Sequence, residues 1–380
     1  MDLALLVLDE YGRSTRRSDG GIDAGPAVLA GLCTILGPAP TVEVGLAALR
    51  RWLQHSSSGA GHPALCGGMA GILLGATTAQ AVDPSLGALR DLVRTALTDA
   101  TTARLWRTTP LAWRDYDVVS GPSGVVLALA ADGQGPVGPA ARHLVSLCTD
   151  NLLSGLRFGD GLGDPRVQWG LGQVNTGLAH GVAGVAAALT AALSAGADPE
   201  FRQALRRVCD WLVDQAGTDR YGIVTWPPAG GSGHRSSDEP SRRQAWCYGT
   251  PGISWMLHEA GEVLDAPELR ACAATAFASY CAAFDPDFHL DTAPVSSRLG
   301  VCHGAAGVLA IADAFALHAG EARASALGAE LEALLLAHSD DVIALAASDM
   351  SLLTGAAGVL AVLLSRTSPT RTWMRAIALR

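Results

Sequence analysis

Residues 301–312 read VCHGAAGVLAIA, which joins a glycine pair spaced G-x-x-G to an apolar run that follows at once. A single copy of this unit would fit ordinary helix packing in an alanine-rich bundle. Five further copies occur, at intervals of 53, 60, 68, 55 and 51 residues along the six. Such regular spacing predicts a repeated supersecondary unit. The other copies are Gly68–Gly71, Gly121–Gly124, Gly181–Gly184, Gly249–Gly252 and Gly355–Gly358.

Each interval has room for two helices with their connections. An amphipathic pattern lies between copies, as in Phe201 to Gln215 with its arginines on a polar side. Small residues at the start of each apolar helix allow close approach of neighbours, which suits inner helices around a common axis. The amphipathic helices would form an outer ring. A degenerate seventh unit is expected at Gly21 to Leu36, where Gly25-Pro26 precedes another apolar run.

The composition fits a globular, helical chain. Of the 380 residues, 49% are hydrophobic and 17% charged, enough for a sizeable core in one large domain or two ordinary ones. Aromatic residues make up only 5%, and alanine and leucine dominate, which favours helices over sheets.

The charge excludes several functions. A net charge of -9 and a pI near 5.5 argue against binding to a nucleic-acid backbone. The sequence contains no lysine, so Schiff-base chemistry and the lysine-dependent phosphate sites of Walker and kinase motifs are excluded.

The pattern of apolar segments predicts neither a signal peptide nor a transmembrane helix. Met1 to Glu10 carries Asp2 and lacks a basic region, and the run Val182 to Leu193 is too short to span a bilayer. Eight cysteines in a chain of this length fit a reducing compartment. We therefore expect a cytoplasmic protein without a disulfide framework.

The least helical stretch is Tyr221 to Arg243, rich in proline and glycine. It predicts a surface loop at residues 221–243 that leads into the motif containing Cys247. A loop of this length in a compact domain is often functional, so it could border an active site or serve only as a spacer.

Three glycine motifs are preceded by reactive side chains, in the strings AHG at 179–181, WCYG at 246–249 and VCHG at 301–304. If the repeats close into a ring, these positions converge at one end of it. Cys247, Cys302 and His303 then supply two thiolates and an imidazole, a donor set that suits zinc and leaves one tetrahedral position open. By spacing alone, buried core cysteines would be the better interpretation. The repeat favours metal ligation.

These motifs resemble those of the lanthionine synthetase C-like family. WCYG and CHG look like its zinc-ligand motifs, and AHGVAG at 179–184 looks like its histidine motif. DVVSGPSG at 117–124 is similar to its aspartate-bearing motif and SLLTGAAG at 351–358 to its last repeat. The resemblance covers about residues 65–365 in family order. The first repeat matches least, and Thr354 stands where many relatives carry histidine.

The resemblance implies one α,α-toroid domain over residues 1–380, all-α, with seven inner and seven outer helices. It implies one Zn²⁺ per chain and an enzyme that adds cysteine thiols to dehydroalanine or dehydrobutyrine, forming lanthipeptide thioether rings. The implied partners are a dehydrated leader-bearing precursor peptide and a separate dehydratase, with a membrane exporter as a further candidate. Such partners would bring a cytoplasmic protein to the periphery of the membrane.

Further site residues come from the resemblance. His180 is the implied general acid or base, and Asp117 would orient it. Arg243 would stabilise the enolate oxygen and Tyr248 would donate a hydrogen bond. From the residues alone, Asp117 fits a helix N-cap, His180 a hydrogen-bonded core histidine, and the other two packing or surface positions.

Two other functions fit parts of the pattern. A zinc-dependent thiol-alkylating enzyme of another toroid family, such as a protein prenyltransferase subunit, would need an aspartate among the ligands, and none stands beside Cys and His at a glycine motif. A non-catalytic, zinc-containing protein that binds thiols or peptides would keep the ligands. The presence of His180, Asp117, Arg243 and Tyr248 beside the ligands favours the cyclase.

Overall fold

The computed structural model describes most of the chain, namely residues 1–14, 23–38, 41–56, 61–103, 106–134, 137–159, 170–196, 199–231, 244–290, 294–366 and 371–380. Helices dominate this part of the chain. In chain order they are α1 (Asp2–Arg13), α2 (Gly25–Leu36), α3 (Thr41–Ser56), α4 (Met69–Ala79), α5 (Leu86–Ala103), α6 (Pro122–Asp132), α7 (Gly138–Leu147), α8 (Val182–Ser194), α9 (Glu200–Gln215), α10 (Thr250–Val263), α11 (Pro267–Ala283), α12 (Pro286–His289), α13 (Val295–Leu299), α14 (Ala305–Ala314), α15 (Ala322–Ala337), α16 (Ser339–Ala346) and α17 (Ala356–Ser365).

Seven of these described helices form a closed inner ring, in the order α2, α4, α6, α8, α10, α14 and α17. Each packs against the next, and α17 packs back against α2. Inner helices carry apolar residues on every side because they are surrounded by protein, as in α8, where Val182 to Thr190 is continuously buried. The predicted seventh unit is confirmed by α2, although residues 21 and 22 lie outside the described part of the chain.

Seven outer helices surround the ring: α1, α3, α5, α7, α9, α11 and α15. Each packs on an inner helix that precedes or follows it in sequence. The amphipathic helix predicted at Phe201 to Gln215 is α9, whose apolar face is buried while Arg202 and Arg206 reach solvent. Within the described residues the fold is therefore the predicted α,α-toroid of seven inner and seven outer helices.

Short strands supplement the helices. β1 (Val174–Asn175) pairs antiparallel with β4 (Ala229–Gly230), and β2 (Gly217–Thr218) pairs antiparallel with β3 (Val224–Thr225). The described part of the predicted loop, residues 221–231, thus contains two strands and the buried side chain of Trp226. The remainder of that loop, residues 232–243, lies outside the described residues.

The second glycine of each motif is required by a close backbone contact. A Cβ at Gly358 would lie 1.8 Å from the carbonyl oxygen of Leu352, six residues earlier. The same contact measures 1.9 to 2.3 Å at the five equivalent glycines. Glycine therefore lets six of the seven inner helices begin directly against their own preceding turns. The sequence indicated instead that these glycines allow neighbouring helices to approach. These glycines are Gly71, Gly124, Gly184, Gly252 and Gly307.

The motif turns are also tied to one another around the ring. A backbone N–H of one turn donates to a carbonyl of the next at distances of 2.8 to 3.2 Å. The pairs are Cys66 to Val119, Val118 to Ala179, Leu178 to Cys247, Cys247 to Cys302, and Cys302 to Leu353. The last and first turns are joined instead by a side chain. Asp23 Oδ1 accepts from the N–H of Leu352 at 2.6 Å and from that of Gly25 at 2.8 Å.

The bore of the ring is filled by a 3-10 segment, Arg371–Ile377. It packs against α6 and α4, and Trp373 and Met374 are buried. Trp246 Nε1 donates to the carbonyl of Ile377 at 2.8 Å, which fastens this segment to the turn that carries Cys247. No helix among the described residues is long and apolar enough to cross a membrane.

Candidate active site

Cys247, Cys302 and His303 come together at the N-terminal ends of two neighbouring inner helices. Cys247 lies just before α10, and the other two lie just before α14. Their candidate ligand atoms all lie within 4.8 Å of one another, and Cys302 Sγ is 3.9 Å from His303 Nε2. Among the described residues this is the one group of three or more His, Cys, Asp or Glu side chains that approach so closely.

The distances and chemistry of this group fit a metal ion. Zinc bonds of about 2.3 Å to sulfur and 2.1 Å to nitrogen place tetrahedral ligand atoms about 3.6 Å apart, close to the 3.9 Å observed. Cys247 is 1% exposed and Cys302 9%, while His303 is partly exposed. The group is therefore covered on the protein side and accessible beside His303. It can hold a soft or borderline divalent metal with a coordination position left for another ligand.

Local backbone structure explains why the cysteines converge. The N–H of Cys247 donates to the carbonyl of Cys302 at 3.2 Å, so the two turns lie side by side. Gly249 has a φ of 82°, a left-handed conformation that glycine adopts without strain, and it redirects the chain from Cys247 into α10. The packing of successive repeats thus places residues 55 positions apart next to each other.

His180 and Asp117 form a second pair, at the starts of α8 and α6. His180 Nδ1 lies 2.5 Å from Asp117 Oδ2. The other carboxylate oxygen, Oδ1, accepts from the N–H of Ser120 at 2.8 Å and from its hydroxyl at 3.1 Å. Asp117 is completely buried, whereas the side chain of His180 is 27% exposed. The carboxylate is thus fixed behind a histidine whose ring reaches the surface of the site.

The alternative of Asp117 as a helix N-cap does not hold for α6. The N-cap of α6 is Gly121, with no side-chain hydrogen bond to the cap. The carboxylate of Asp117 instead accepts from Ser120 in the turn before α6 and binds His180 of the neighbouring repeat.

His180 is also not enclosed in the core, because its side chain is 27% exposed. The turn of His180 adjoins that of Cys247, because the N–H groups of Leu178 and Ala179 lie 2.8 and 3.4 Å from the carbonyl of Cys247.

Tyr248 is positioned by a residue of the repeat that contains α8. Its hydroxyl accepts a hydrogen bond of 2.7 Å from Nδ2 of Asn175, a fully buried residue of β1. The Asn175 Oδ1 accepts from the N–H of Gly177 at 2.8 Å, which fixes the amide. Because β1 pairs with β4, the described part of the predicted loop adjoins this contact. Arg243 lies outside the described residues.

Cys66 shows that motif position alone does not bring a cysteine into the close group. It stands two residues before Gly68, as Cys247 and Cys302 stand before their own glycines, yet it does not belong to the close group. Burial raises the pKa of the Cys66 thiol well above its usual value, and the nearby charges of Asp23 and Asp117 raise it further.

The sequence did not single out three residues that shape the site: Trp113, Ser120 and Asn175. The indole of Trp113 stacks on His180 with ring centroids 4.4 Å apart and an angle of 16° between the planes. None of the three has a local sequence signal. Trp113 and Asn175 contact residues of the next repeat, and Ser120 acts only because Asp117 lies in its turn.

Comparison with known proteins places the chain in a family. A family model described as lanthionine synthetase C-like protein matches residues 41–378. The chain belongs to the lanthionine synthetase C-like family. The match begins after α2, in agreement with the weak first repeat of the sequence.

The solved structure of nisin cyclase is similar to this chain, with a TM-score of 0.78 and 19% sequence identity. The alignment covers 99% of this chain and 96% of nisin cyclase. At this identity the similarity supports the fold alone, over the aligned residues. No curated protein matches the chain in sequence at a significant level.

Proposed function

We propose that this protein is a zinc-dependent cyclase that adds cysteine thiols to dehydroalanine or dehydrobutyrine residues of a precursor peptide, forming lanthionine and methyllanthionine. The observation that carries this proposal is the placement of a Cys₂His group and a His–Asp pair at one end of one ring. Family membership supports the same reaction class.

Cys247, Cys302 and His303 would hold one zinc ion through two sulfur atoms and an imidazole nitrogen. Zinc bound there would supply Lewis acidity that favours the thiolate form of a substrate thiol, whose pKa is about 8.5 when free. The partly exposed side of the group, beside His303, is where a peptide thiol would enter.

The addition forms a bond between sulfur and the β-carbon of the dehydro residue. The π electrons of the carbon–carbon double bond move toward the carbonyl, and the resulting enolate accepts a proton at its α-carbon. The thiol has lost one proton and the α-carbon has gained one, so no oxidant or reductant is needed. The protein must therefore move a proton.

His180 is suited to that role. The carboxylate of Asp117 can only accept, so the Nδ1–H of His180 donates to it, and Nε2 is left to take up or release the mobile proton. Two hydrogen bonds from Ser120 hold the carboxylate in place, which fixes the direction of the imidazole. His180 would receive the thiol proton and deliver a proton to the α-carbon.

Tyr248 and Arg243 would act on the developing negative charge. Nδ2 of Asn175 donates to the hydroxyl of Tyr248 and fixes its oxygen, and the phenolic O–H would donate to the enolate oxygen. A donor aimed at an enolate oxygen stabilises the transition state most. Arg243 is assigned the same task from its place four residues before Cys247 in the sequence.

The proposed partners follow from this reaction. The substrate is a leader-bearing peptide that a separate dehydratase has already acted on, and a membrane exporter would remove the product. We propose that the enzyme works in the cytoplasm, where dehydration takes place, and reaches the membrane through these partners.

The test is to measure zinc per chain and then to incubate the protein with a dehydrated cysteine-containing peptide. We expect one zinc per chain and loss of alkylatable thiol at unchanged peptide mass, since ring closure is an isomerisation. His180→Asn should retain zinc and lose the activity. Normal zinc with no thiol loss across varied dehydrated peptides would favour the alternative, a non-catalytic protein that binds thiols or peptides.

A further inference from the structure

We infer that Trp113 is a positioning residue that fixes the plane of the His180 imidazole, so that Nε2 points in one direction. Its catalytic consequence rests on the proposed function. The stack itself, with centroids 4.4 Å apart and planes 16° from parallel, is a property of the folded chain.

The hydrogen bond to Asp117 alone does not define the position of the ring. It fixes the line from Nδ1 to Oδ2 but leaves the imidazole able to pivot about that line. A flat partner against one face removes this freedom, because pivoting would lift the ring from the indole. The hydrogen bond and the stack together determine where the Nε2 lone pair or proton is aimed.

Trp113 is well anchored for this purpose. Its indole also packs against Phe158 in an edge-to-face arrangement, with centroids 5.8 Å apart and an angle of 63°. Its carbonyl accepts from the N–H of Asp117 at 2.8 Å. One residue thus supports both members of the pair, Asp117 through its backbone and His180 through its ring.

Trp113 supports Asp117 through its backbone and His180 through its side chain, so the inference can be tested. A side-chain substitution removes the stack on His180 and leaves the backbone bond to Asp117 available. The informative variants are Trp113→Leu, which fills space without an aromatic face, and Trp113→Phe, which keeps a smaller one. Trp106→Phe is a matched control. Trp106 contacts another histidine, His143 of α7, with ring centroids 5.5 Å apart.

The first measurement is NMR of the full-length, zinc-loaded protein with labelled histidine. The His180 ring signals are identified by their absence in His180→Asn. A stacked indole shifts histidine ring protons upfield. We expect these signals to move downfield in Trp113→Leu, to move less in Trp113→Phe, and to stay in place in Trp106→Phe.

The second measurement is the steady-state kinetics of cyclisation. We expect kcat of Trp113→Leu to fall about tenfold, with KM within about twofold of wild type, because orientation affects the proton transfer more than peptide binding. Trp113→Phe should recover most of the loss and unfold at the wild-type temperature, and zinc content should be unchanged in both variants.

Unchanged His180 signals in Trp113→Leu would overturn the inference, as would wild-type kcat in a variant whose signals have moved. A kcat loss that Trp113→Phe fails to recover, together with a lowered Tm, would overturn it in favour of a purely structural role. If the wild-type protein forms no thioether, the proposed function fails, and the NMR signals still decide whether Trp113 fixes the ring.

Discussion

The imidazole of His180 and the carboxylate of Asp117 are joined by a hydrogen bond of 2.5 Å, although 63 residues separate them in the chain. Each stands in the turn before an inner helix, and α6 and α8 are neighbours in the ring. The bond therefore exists because successive inner helices pack side by side. It pairs a buried carboxylate with a partly exposed ring, the arrangement in which histidine can exchange protons with a substrate.

Replacing the carboxylate of this pair should impair proton transfer without unfolding the protein. In Asp117→Asn the amide can present its NH₂ group to Nδ1, which favours the tautomer with the proton on Nε2. We expect kcat for cyclisation to fall by about 10²- to 10⁴-fold with zinc content unchanged. Asp341→Asn is the control, because Asp341 makes a similar 2.7 Å contact with His338 on the outside of the ring. Equal losses in both variants would contradict the assignment.

Metal content should depend on the close Cys₂His group and on no other thiol. We expect Cys302→Ala and His303→Ala to reduce zinc from about one equivalent to less than a tenth, measured by mass spectrometry of the purified protein. Cys66→Ala and Cys148→Ala should retain the metal. Loss of zinc in Cys66→Ala would show that motif position, rather than distance, defines the ligands.

The second motif glycine should not tolerate a methyl group. In Gly358→Ala the new Cβ would overlap the carbonyl oxygen of Leu352, so α17 must move away from its own turn. We expect the free energy of unfolding to fall by about 3 kcal/mol or more, or the protein to become insoluble. Gly61→Ala is the control, since a Cβ at Gly61 would meet no other atom within 4 Å. Equal stability of the two variants in denaturant titrations would refute the steric argument.

The carboxyl group of Asp23, which joins the first and last motif turns, should make the free energy of unfolding depend on pH. Burial raises the pKa of Asp23 to about 6, partly opposed by hydrogen bonds from Gly25 and Leu352. A carboxyl with a raised pKa contributes stability below its unfolded pKa of about 4, and this contribution is lost as the pH rises through about 6.

Asp23→Asn keeps an acceptor oxygen for both N–H groups and removes the charge. We expect it to be more stable than wild type by about 1 to 3 kcal/mol at pH 8, with the difference shrinking toward pH 4. Chemical denaturation across this pH range measures the effect. A variant less stable by a constant amount at every pH would mean that the amide fails to hold the turns together.

Much of the fold could be predicted from the sequence, because the repeat is a local pattern. The G-x-x-G spacing and the apolar runs mark the start of each inner helix, and the amphipathic pattern marks α9. The nature of the glycine contact could not be predicted. It is made with a carbonyl six residues earlier, whose direction depends on the conformation of the whole turn.

The candidate metal ligands were predicted as a set, and the structure brings Cys247, Cys302 and His303 within 4.8 Å. The sequence could not distinguish them from Cys66 by geometry, since all three cysteines stand at the same motif position. It also gave Asp117 a plausible role as a helix cap. Which neighbour lies beside each turn is settled by the order and closure of the ring.

The sequence by itself determined that this is an all-helical repeat protein of the lanthionine synthetase C-like family. Helix periodicity and the motifs depend only on residues that are close together in the chain. Only the tertiary structure decided that Asp117 binds His180, that Trp113 covers the imidazole, and that Asn175 holds Tyr248. The physical reason is that each of these contacts joins residues of two different repeats. Hydrogen bonds and stacking need partners at a defined distance and angle, and the closed ring supplies both.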